Sequence, residues 1–166
     1  VDLLSKKLPK EGKAELITAK GQLLVNTAKL TVITKLIDDS FPNYMQVLPK
    51  TEGTSVPMSR TDFLGALDRM SVFTSITESP CVVLTFSNSG LTLNSGDTEA
   101  GSARDEIPVK YDGEEVSIRF NPSYIRDVLT AMDEEEIVMK IAGAGPSVIR
   151  KSESEDYTYV VMPLRT

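Results

Sequence analysis

The sequence predicts an α+β fold built from repeated units of one helix and three or four strands. A helix followed by three strands recurs three times along the 166 residues, beginning near residues 1, 60 and 122. The second and third copies are each preceded by a further strand. With 40% hydrophobic and 25% charged residues, the chain has ordinary globular composition. We therefore expect a folded protein with an internal repeat.

The first copy occupies the start of the chain. Residues 1–8 form a helical pattern, because Val1, Leu4 and Leu8 fall on one face. Three runs of β-forming residues follow, at 14–18, 23–27 and 30–36. This copy lacks a leading strand and a sister unit, so the chain looks truncated at its start. Since a bare sheet edge promotes aggregation, we expect the missing half in the intact protein.

Two complete copies follow in residues 51–166. Ser59 with Asp62 three residues later is typical of a capping box, and Asn121 with Pro122 supplies an N-cap residue and a proline at the first helical position. These signals predict helices that begin at residues 60 and 122. The predicted elements are helices at 60–74 and 122–132 and strands at 82–87, 91–94, 99–110, 116–120, 137–141, 147–150 and 157–162.

Charge is distributed unevenly along the chain. The net charge is −6, which argues against a simple basic nucleic-acid binder. Residues 1–50 carry 8 Lys against 5 acidic side chains, whereas residues 51–166 carry 10 basic and 19 acidic side chains. Two regions are therefore indicated, with a seam near residues 49–50.

The composition excludes most enzyme classes. The chain has no histidine and one cysteine, Cys81, so the usual metal clusters and the Ser-His or Cys-His nucleophile pairs are not available. The acidic run 133–136 could in principle hold Mg²⁺ or Ca²⁺, but it matches neither an EF-hand nor a two-metal pattern, and a solvated acidic turn is preferred over a metal-dependent enzyme. We expect no catalytic residues, no cofactor and no bound metal. The lone cysteine and the absence of a signal peptide or membrane-spanning run favour the cytoplasm.

Several motifs resemble a known family. Segment 36–49 contains Phe41, Pro42, Asn43 and Tyr44, and three further motifs follow in order at 63–69, 120–124 and 159–165. In these motifs the chain resembles the C-terminal part of the bacterial beta sliding clamp, the processivity subunit of the DNA polymerase III holoenzyme. The resemblance implies the processivity-clamp (DNA clamp) fold, with helices on one face of antiparallel sheets. It implies that residues 1–50 are the second half of clamp domain two with the interdomain connector, and that 51–166 are the whole of domain three.

The resemblance also implies a function. In that family, two subunits close head to tail into a homodimer ring around duplex DNA, without sequence-specific contacts, and tether the polymerase. The implied DNA-facing residues are Lys6, Lys7, Arg60, Arg69 and Arg126. Because Asp2, Asp68 and Asp127 share these helices, a solvated amphipathic face is an equal alternative. A β-rich scaffold or adaptor with no DNA role is the alternative for the whole protein.

A second implied function is the docking of short peptide motifs from polymerases, the clamp loader and repair proteins. The resemblance places this apolar cleft at Pro42, Gln46, Val47, Leu48, Asn121, Tyr124, Ser147, Val160, Val161, Met162, Pro163, Leu164 and Arg165. A plain core strand at 160–162 is the structural alternative. Ser79 falls where relatives can place an aromatic residue, so we expect a shallower rim there.

The third implied site is the contact between subunits. On a helical wheel, Val72 points about 180° away from the stripe that faces the sheet, and Phe73 lies at the stripe's margin. The resemblance implies that these two residues and the strand predicted at 99–110 form an interface with a neighbouring subunit. The implied interface residues are Val72, Phe73, Glu99, Arg104, Asp105 and Glu106. A fraying helix end is the alternative.

Overall fold

The computed structural model describes residues 2–41, 43–46, 48, 53–74, 79–96, 101–152 and 157–164. Close contacts divide the chain into two compact units, residues 1–43 (unit 1) and residues 44–166 (unit 2). The charge distribution predicts a seam a few residues later, near residues 49–50. The assignment of the two regions to clamp domains two and three stays a prediction.

Unit 1 is a short helix and an antiparallel three-stranded meander. Its elements are α1 (Asp2–Lys7), β1 (Glu15–Ala19), β2 (Gln22–Asn26) and β3 (Thr31–Lys35), with the strand order β1-β2-β3. Lys20 and Gly21 join β1 to β2, and both have positive φ, 50° and 72°, as a two-residue hairpin requires. Val25 is the one described residue of unit 1 that is buried, whereas Leu16 and Ile33 are largely exposed.

Unit 2 contains two four-stranded antiparallel sheets and two helices. The elements are β4 (Thr54–Ser59), α2 (Arg60–Thr74), β5 (Val82–Ser87), β6 (Gly90–Asn94), β7 (Arg104–Ile107), β8 (Val116–Phe120), α3 (Pro122–Ala131), β9 (Glu136–Ile141), β10 (Ser147–Lys151) and β11 (Thr158–Val161). One sheet has the order β11-β10-β9-β4 and the other has the order β7-β6-β5-β8. The α+β class and the repeated helix-and-strand units are thus confirmed.

The two helices of unit 2 begin where the capping signals predict. The Ser59 hydroxyl oxygen accepts a 3.2 Å hydrogen bond from the Asp62 backbone N–H, and Asn121 Oδ1 accepts a 3.0 Å bond from the Ser123 backbone N–H. Helix α2 runs over the residues predicted for it, and its buried side chains form the predicted stripe. That stripe consists of Phe63, Ala66, Leu67, Met70 and Thr74. In α3 the buried stripe includes Ile125, Val128 and Leu129.

One hydrophobic core joins the helices to the sheets of unit 2. Helix α2 contacts α3 and strands β4, β6 and β7, and α3 contacts β11. Strand side chains alternate, so that Leu84 and Phe86 in β5 and Ile118 in β8 are buried while their neighbours point away from the core. The longest helix has 15 residues, and none in the described parts of the chain is suited to crossing a bilayer.

The strand predicted at 99–110 is shorter in the structure. Residues 97–100 lie outside the described part, and β7 covers Arg104–Ile107. Pro108 follows directly and has no backbone N–H for the sheet ladder, which is a physical reason for the strand to end there.

Candidate functional site

The end of the chain forms an apolar surface at the edge of a sheet. Strand β11 is the last strand of its sheet and pairs with β10. Val161 is buried, but Met162 beyond the strand is 54% exposed and Leu164 is 37% exposed. Exposed apolar side chains in a fixed position are suited to contacting a ligand. We call Val160, Met162, Pro163 and Leu164, together with Tyr124, the docking surface.

This ending is held in place by the other sheet. The Leu164 backbone N–H donates a 2.8 Å hydrogen bond to the Arg119 carbonyl in β8. Residues 162–164 therefore cross from β11 to β8 and join the edges of the two sheets. Met162 and Pro163 lie between these two attachments, so their positions are restrained at both sides.

Helix α3 brings an aromatic residue beside the same strand. Tyr124 lies in its first turn and is 53% exposed. Tyr159 of β11 packs against the core, and its pKa is raised by burial and by the nearby Asp127, Tyr157 and Tyr124. Helix α3, which carries Tyr124, contacts β11. Asn121 Oδ1 accepts hydrogen bonds from the Ser123 N–H and hydroxyl. This oxygen therefore caps the start of α3.

Two residues predicted for the docking cleft are buried. Ser147 has no exposed surface, and its hydroxyl has no hydrogen-bond partner in the described structure. It lies opposite Val161 in the β10–β11 ladder, and Val161 is 1% exposed. Both side chains are thus buried between paired strands, and their direct contact with a ligand stays a prediction. They pack beneath the docking surface.

Two connector residues of the predicted cleft, Gln46 and Leu48, lie in a local turn. Gln46 is exposed and ends a 3-10 helix, Tyr44–Gln46, while Leu48 is half-buried and donates its backbone N–H to the Tyr44 carbonyl at 3.2 Å. Tyr44 and Met45, which are not among the residues predicted for the cleft, are also exposed. Pro42, Val47 and Arg165 lie outside the described residues.

The exposed arginines predicted to face DNA form ion pairs. Arg126 Nε lies 2.6 Å from Asp68 Oδ1, and Arg69 Nη2 lies 2.6 Å from Asp105 Oδ2. The hydrogen bond from Arg126 to Asp68, together with the Asp68 charge, raises the Arg126 pKa. These arginines are thus partly neutralised by their neighbours. Lys6 and Lys7 are exposed at the end of α1 in unit 1.

Arg60 differs from the other predicted DNA-facing residues. It is half-buried, and its guanidinium donates to the Glu134 carbonyl at 2.6 Å and to the Leu129 carbonyl at 3.1 Å. The carbonyls at the end of a helix lack intrahelical partners, and a cation is favourable there. Arg60 therefore binds α3 and the segment after it to the start of α2. This contact explains the residue without reference to DNA.

The predicted subunit-contact residues lie on α2 and on the edge strand β7. Val72 is 63% exposed, as the helical wheel predicts, and Phe73 is half-buried beside Gly101. Arg104 and Glu106 form a 2.9 Å ion pair on β7, while the Asp105 between them binds Arg69. Glu99 lies outside the described residues.

The acidic run after α3 is engaged with the protein itself. Glu134 forms an ion pair with Lys151, and this hydrogen bond lowers the Glu134 pKa. Within the described ranges, no three His, Cys, Asp or Glu side chains are grouped to hold a metal ion.

Comparisons with known proteins agree with this architecture. Residues 45–165 match the family model for the DNA polymerase III beta subunit, C-terminal domain. The beta sliding clamp of Haemophilus influenzae is 31% identical over 172 residues, which cover 95% of this chain and 47% of that protein. That of Pseudomonas putida is 29% identical over 156 residues, with coverages of 93% and 42%. The chain spans less than half the length of these relatives.

Solved structures give the same result. A crystal structure of the DNA polymerase III subunit beta from Pseudomonas aeruginosa superposes with a TM-score of 0.83 at 27% identity, covering 98% of this chain and 45% of that one. The corresponding structure from Thermotoga maritima gives a TM-score of 0.77 at 29% identity. Because the family model matches most of the chain, this protein belongs to the DNA polymerase III beta subunit family, the beta sliding clamps.

Proposed function

We propose that this chain is part of a sliding-clamp subunit that docks short peptide motifs and helps to enclose duplex DNA. The docked partners are DNA polymerase subunits, the clamp loader and repair proteins, and the cleft includes the docking surface. The observation that carries the proposal is the exposed Met162 and Leu164, held at the sheet edges by the Leu164–Arg119 hydrogen bond. Apolar side chains in a restrained position bind a peptide at low entropic cost.

The proposed role is that of an accessory processivity factor without catalytic residues of its own. A whole subunit of the relatives' length is proposed to form a homodimer ring in the cytoplasm. Residues 1–50 are assigned to the second half of domain two and the connector, and 51–166 to domain three. The ring keeps the polymerase on DNA by enclosure and needs no base-specific contact.

The charges on the helices of unit 2 support sequence-independent and weak DNA contacts. Tight phosphate binding would give steep salt dependence and would oppose sliding along the duplex. Arg69 and Arg126 already share their charge with Asp105 and Asp68. A face of this kind suits a ring that moves along DNA.

A peptide titration tests the docking function. We expect a peptide of the Gln-Leu-x-Leu-Phe type to bind the chain with its apolar side chains at the docking surface. Met162→Asp places a charge in the apolar contact and should abolish binding. Val72→Asp is the matched control, because Val72 is similarly exposed but lies on α2, and it should leave binding unchanged. Equal affinity of the wild type and Met162→Asp would refute the assigned surface.

A further inference from the structure

A groove runs along the face of the β7-β6-β5-β8 sheet that points away from the core. It has a volume of about 540 Å³ and lies between this sheet, the β9–β10 turn and the end of the chain. Its lining includes Val83, Ser117, Arg119, Ala144, Pro163 and Leu164. Val83 and Arg119 alternate along their strands with buried residues, so their side chains point outward.

Among the residues that the structure describes, the groove combines apolar walls with a single cation. Val83, Ala144, Pro163 and Leu164 supply apolar surface, and Arg119 is the charged residue in the lining. Arg119 is exposed, and no ion pair or side-chain hydrogen bond of its guanidinium occurs in the described parts of the chain. Arg69 and Arg126, by contrast, are paired with aspartates. An unpaired guanidinium beside apolar surface is suited to binding a carboxylate that is attached to an apolar group.

The groove is continuous with the docking surface. Pro163 and Leu164 belong to both, and the Leu164 N–H is bonded to the Arg119 carbonyl at 2.8 Å. A peptide bound along residues 162–164 therefore has its neighbouring residues within reach of the groove.

We propose that the groove binds residues that flank a docked peptide motif, taking one apolar side chain and one acidic side chain whose carboxylate pairs with Arg119. This inference rests on the proposed docking function. A peptide carboxylate fits better than a nucleic-acid strand, because the described lining offers one cation while residues 51–166 carry 19 acidic against 10 basic side chains. That excess of negative charge repels a polyanion but tolerates a single carboxylate.

The test compares motif peptides extended on either side by Leu-Asp or by Leu-Asn. One of the two sides should place the extension in the groove. At low salt, the peptide with Leu-Asp on that side should bind about two- to fivefold more tightly than the peptide with Leu-Asn on the same side, as expected for an exposed ion pair. Arg119→Gln should remove this preference and Arg119→Lys should keep most of it. Lys110→Gln is the matched control, because Lys110 is an exposed cation outside the groove lining, and it should keep the preference.

Cys81 provides a second readout, because it is the single cysteine of the chain. Burial raises the pKa of its thiol, and the charge of Arg119 partly opposes that rise. A carboxylate bound at Arg119 would offset this charge, so the Leu-Asp peptide should slow alkylation of Cys81 more than the Leu-Asn peptide does.

The outcomes separate this inference from the docking function. Equal affinities for the Leu-Asp and Leu-Asn peptides in the wild type would overturn the groove proposal and leave the docking surface intact. A preference that survives in Arg119→Gln would overturn the role of Arg119. If neither peptide bound, both the docking surface and the groove would be refuted.

Discussion

Arg126 on α3 donates a hydrogen bond from Nε to Oδ1 of Asp68 on α2, at 2.6 Å. The bond joins the two helices of unit 2 on the face that is implied, by the family resemblance, to point toward DNA. The acidic and basic residues of the two helices balance, with Arg60, Arg69 and Arg126 against Asp62, Asp68 and Asp127. DNA binding by this face should therefore depend on the carboxylates as well as on the arginines.

Asp68→Asn is expected to strengthen DNA binding, because it releases Arg126 from its ion pair. The dependence of log affinity on log salt should become steeper by about one unit, the contribution of one added phosphate contact. Arg126→Gln should weaken binding. Fluorescence anisotropy with duplex DNA over a range of low salt concentrations measures both effects.

Asp112→Asn is the control for this change, because it adds the same net charge at an exposed position outside the helices. It should alter the affinity less than Asp68→Asn. Equal effects of the two variants would show that net charge, and not the Asp68–Arg126 pair, controls binding.

Arg60→Met is expected to destabilise unit 2. The change removes two hydrogen bonds from a charged group to main-chain carbonyls and should cost about 1–3 kcal/mol of unfolding free energy. Arg104→Met removes an exposed ion pair on β7 and should cost about 0–1 kcal/mol. Urea denaturation of the two variants measures both losses of unfolding free energy. Equal losses would contradict the anchoring role of Arg60.

Local sequence signals were sufficient for the helices of unit 2 and insufficient for the role of Arg60. Ser59 and Asn121 act within three residues of their own position, so the helix starts could be read from the sequence. The partners of Arg60 are carbonyls 69 and 74 residues away, and their proximity is set by the packing of α2 on α3. The contact of Arg60 with the end of α3 was therefore not predictable from local sequence, and the DNA-facing role that the resemblance implies for Arg60 stays a prediction.

The same limit applies to the site. The resemblance assigns Met162 and Tyr124 to the cleft; both side chains are exposed, and their contact with a ligand stays a prediction. Burial of Ser147 follows from its place opposite Val161 between paired strands, which a small polar residue does not reveal by itself. Arg119 was missed as a candidate because a basic residue in an outward strand position looks like ordinary solvated surface.

Gly90→Ala is expected to destabilise the β5–β6 hairpin. Gly90 has φ of 129°, and an added Cβ would lie 2.8 Å from the Ile107 carbonyl oxygen in β7. Strain and the backbone clash together should cost about 3 kcal/mol. Gly143→Ala also has positive φ, 61°, but its Cβ would enter open space, so its cost should be about 1–2 kcal/mol. Thermal unfolding of both variants gives the comparison, and a smaller loss for Gly90→Ala would contradict it.

The Glu134–Lys151 pair should make the free energy of unfolding depend on pH in the acidic range. The hydrogen bond from Lys151 lowers the Glu134 pKa below its ordinary value of 4.5. The stabilisation is therefore present above pH 4.5 and is lost as the pH falls through the folded-state pKa. Glu134→Gln should be less stable than the wild type at neutral pH, and the difference should vanish in acid.

Urea titrations of the wild type and of Glu134→Gln at several pH values measure this dependence. Lys151→Met removes the partner of Glu134. In this background, the difference in unfolding free energy between Glu and Gln at position 134 should no longer depend on pH. A difference that persists at the lowest pH would assign the effect of Glu134→Gln to something other than its charge.

The last prediction concerns the proposed contact between subunits. Val72 is 63% exposed on α2, and Phe73 is half-buried beside Gly101, which precedes the edge strand β7. An exposed valine and a half-buried phenylalanine next to the edge strand of the described sheet are suited to a subunit contact. In a subunit of the relatives' length, Val72→Ala with Phe73→Ala should weaken dimerisation while leaving peptide docking intact, since the docking surface is formed by other elements.

Sedimentation of this double variant measures the dimer constant, and a peptide titration on the same sample measures docking. Tyr124→Ala is the reciprocal control, because Tyr124 is similarly exposed but belongs to the docking surface. It should weaken peptide binding and leave the dimer constant unchanged. Because the Val72 side chain is largely exposed and packs little against the core, its truncation should not unfold α2. Circular dichroism checks this. A folded double variant with an unchanged dimer constant would remove Val72 and Phe73 from the interface.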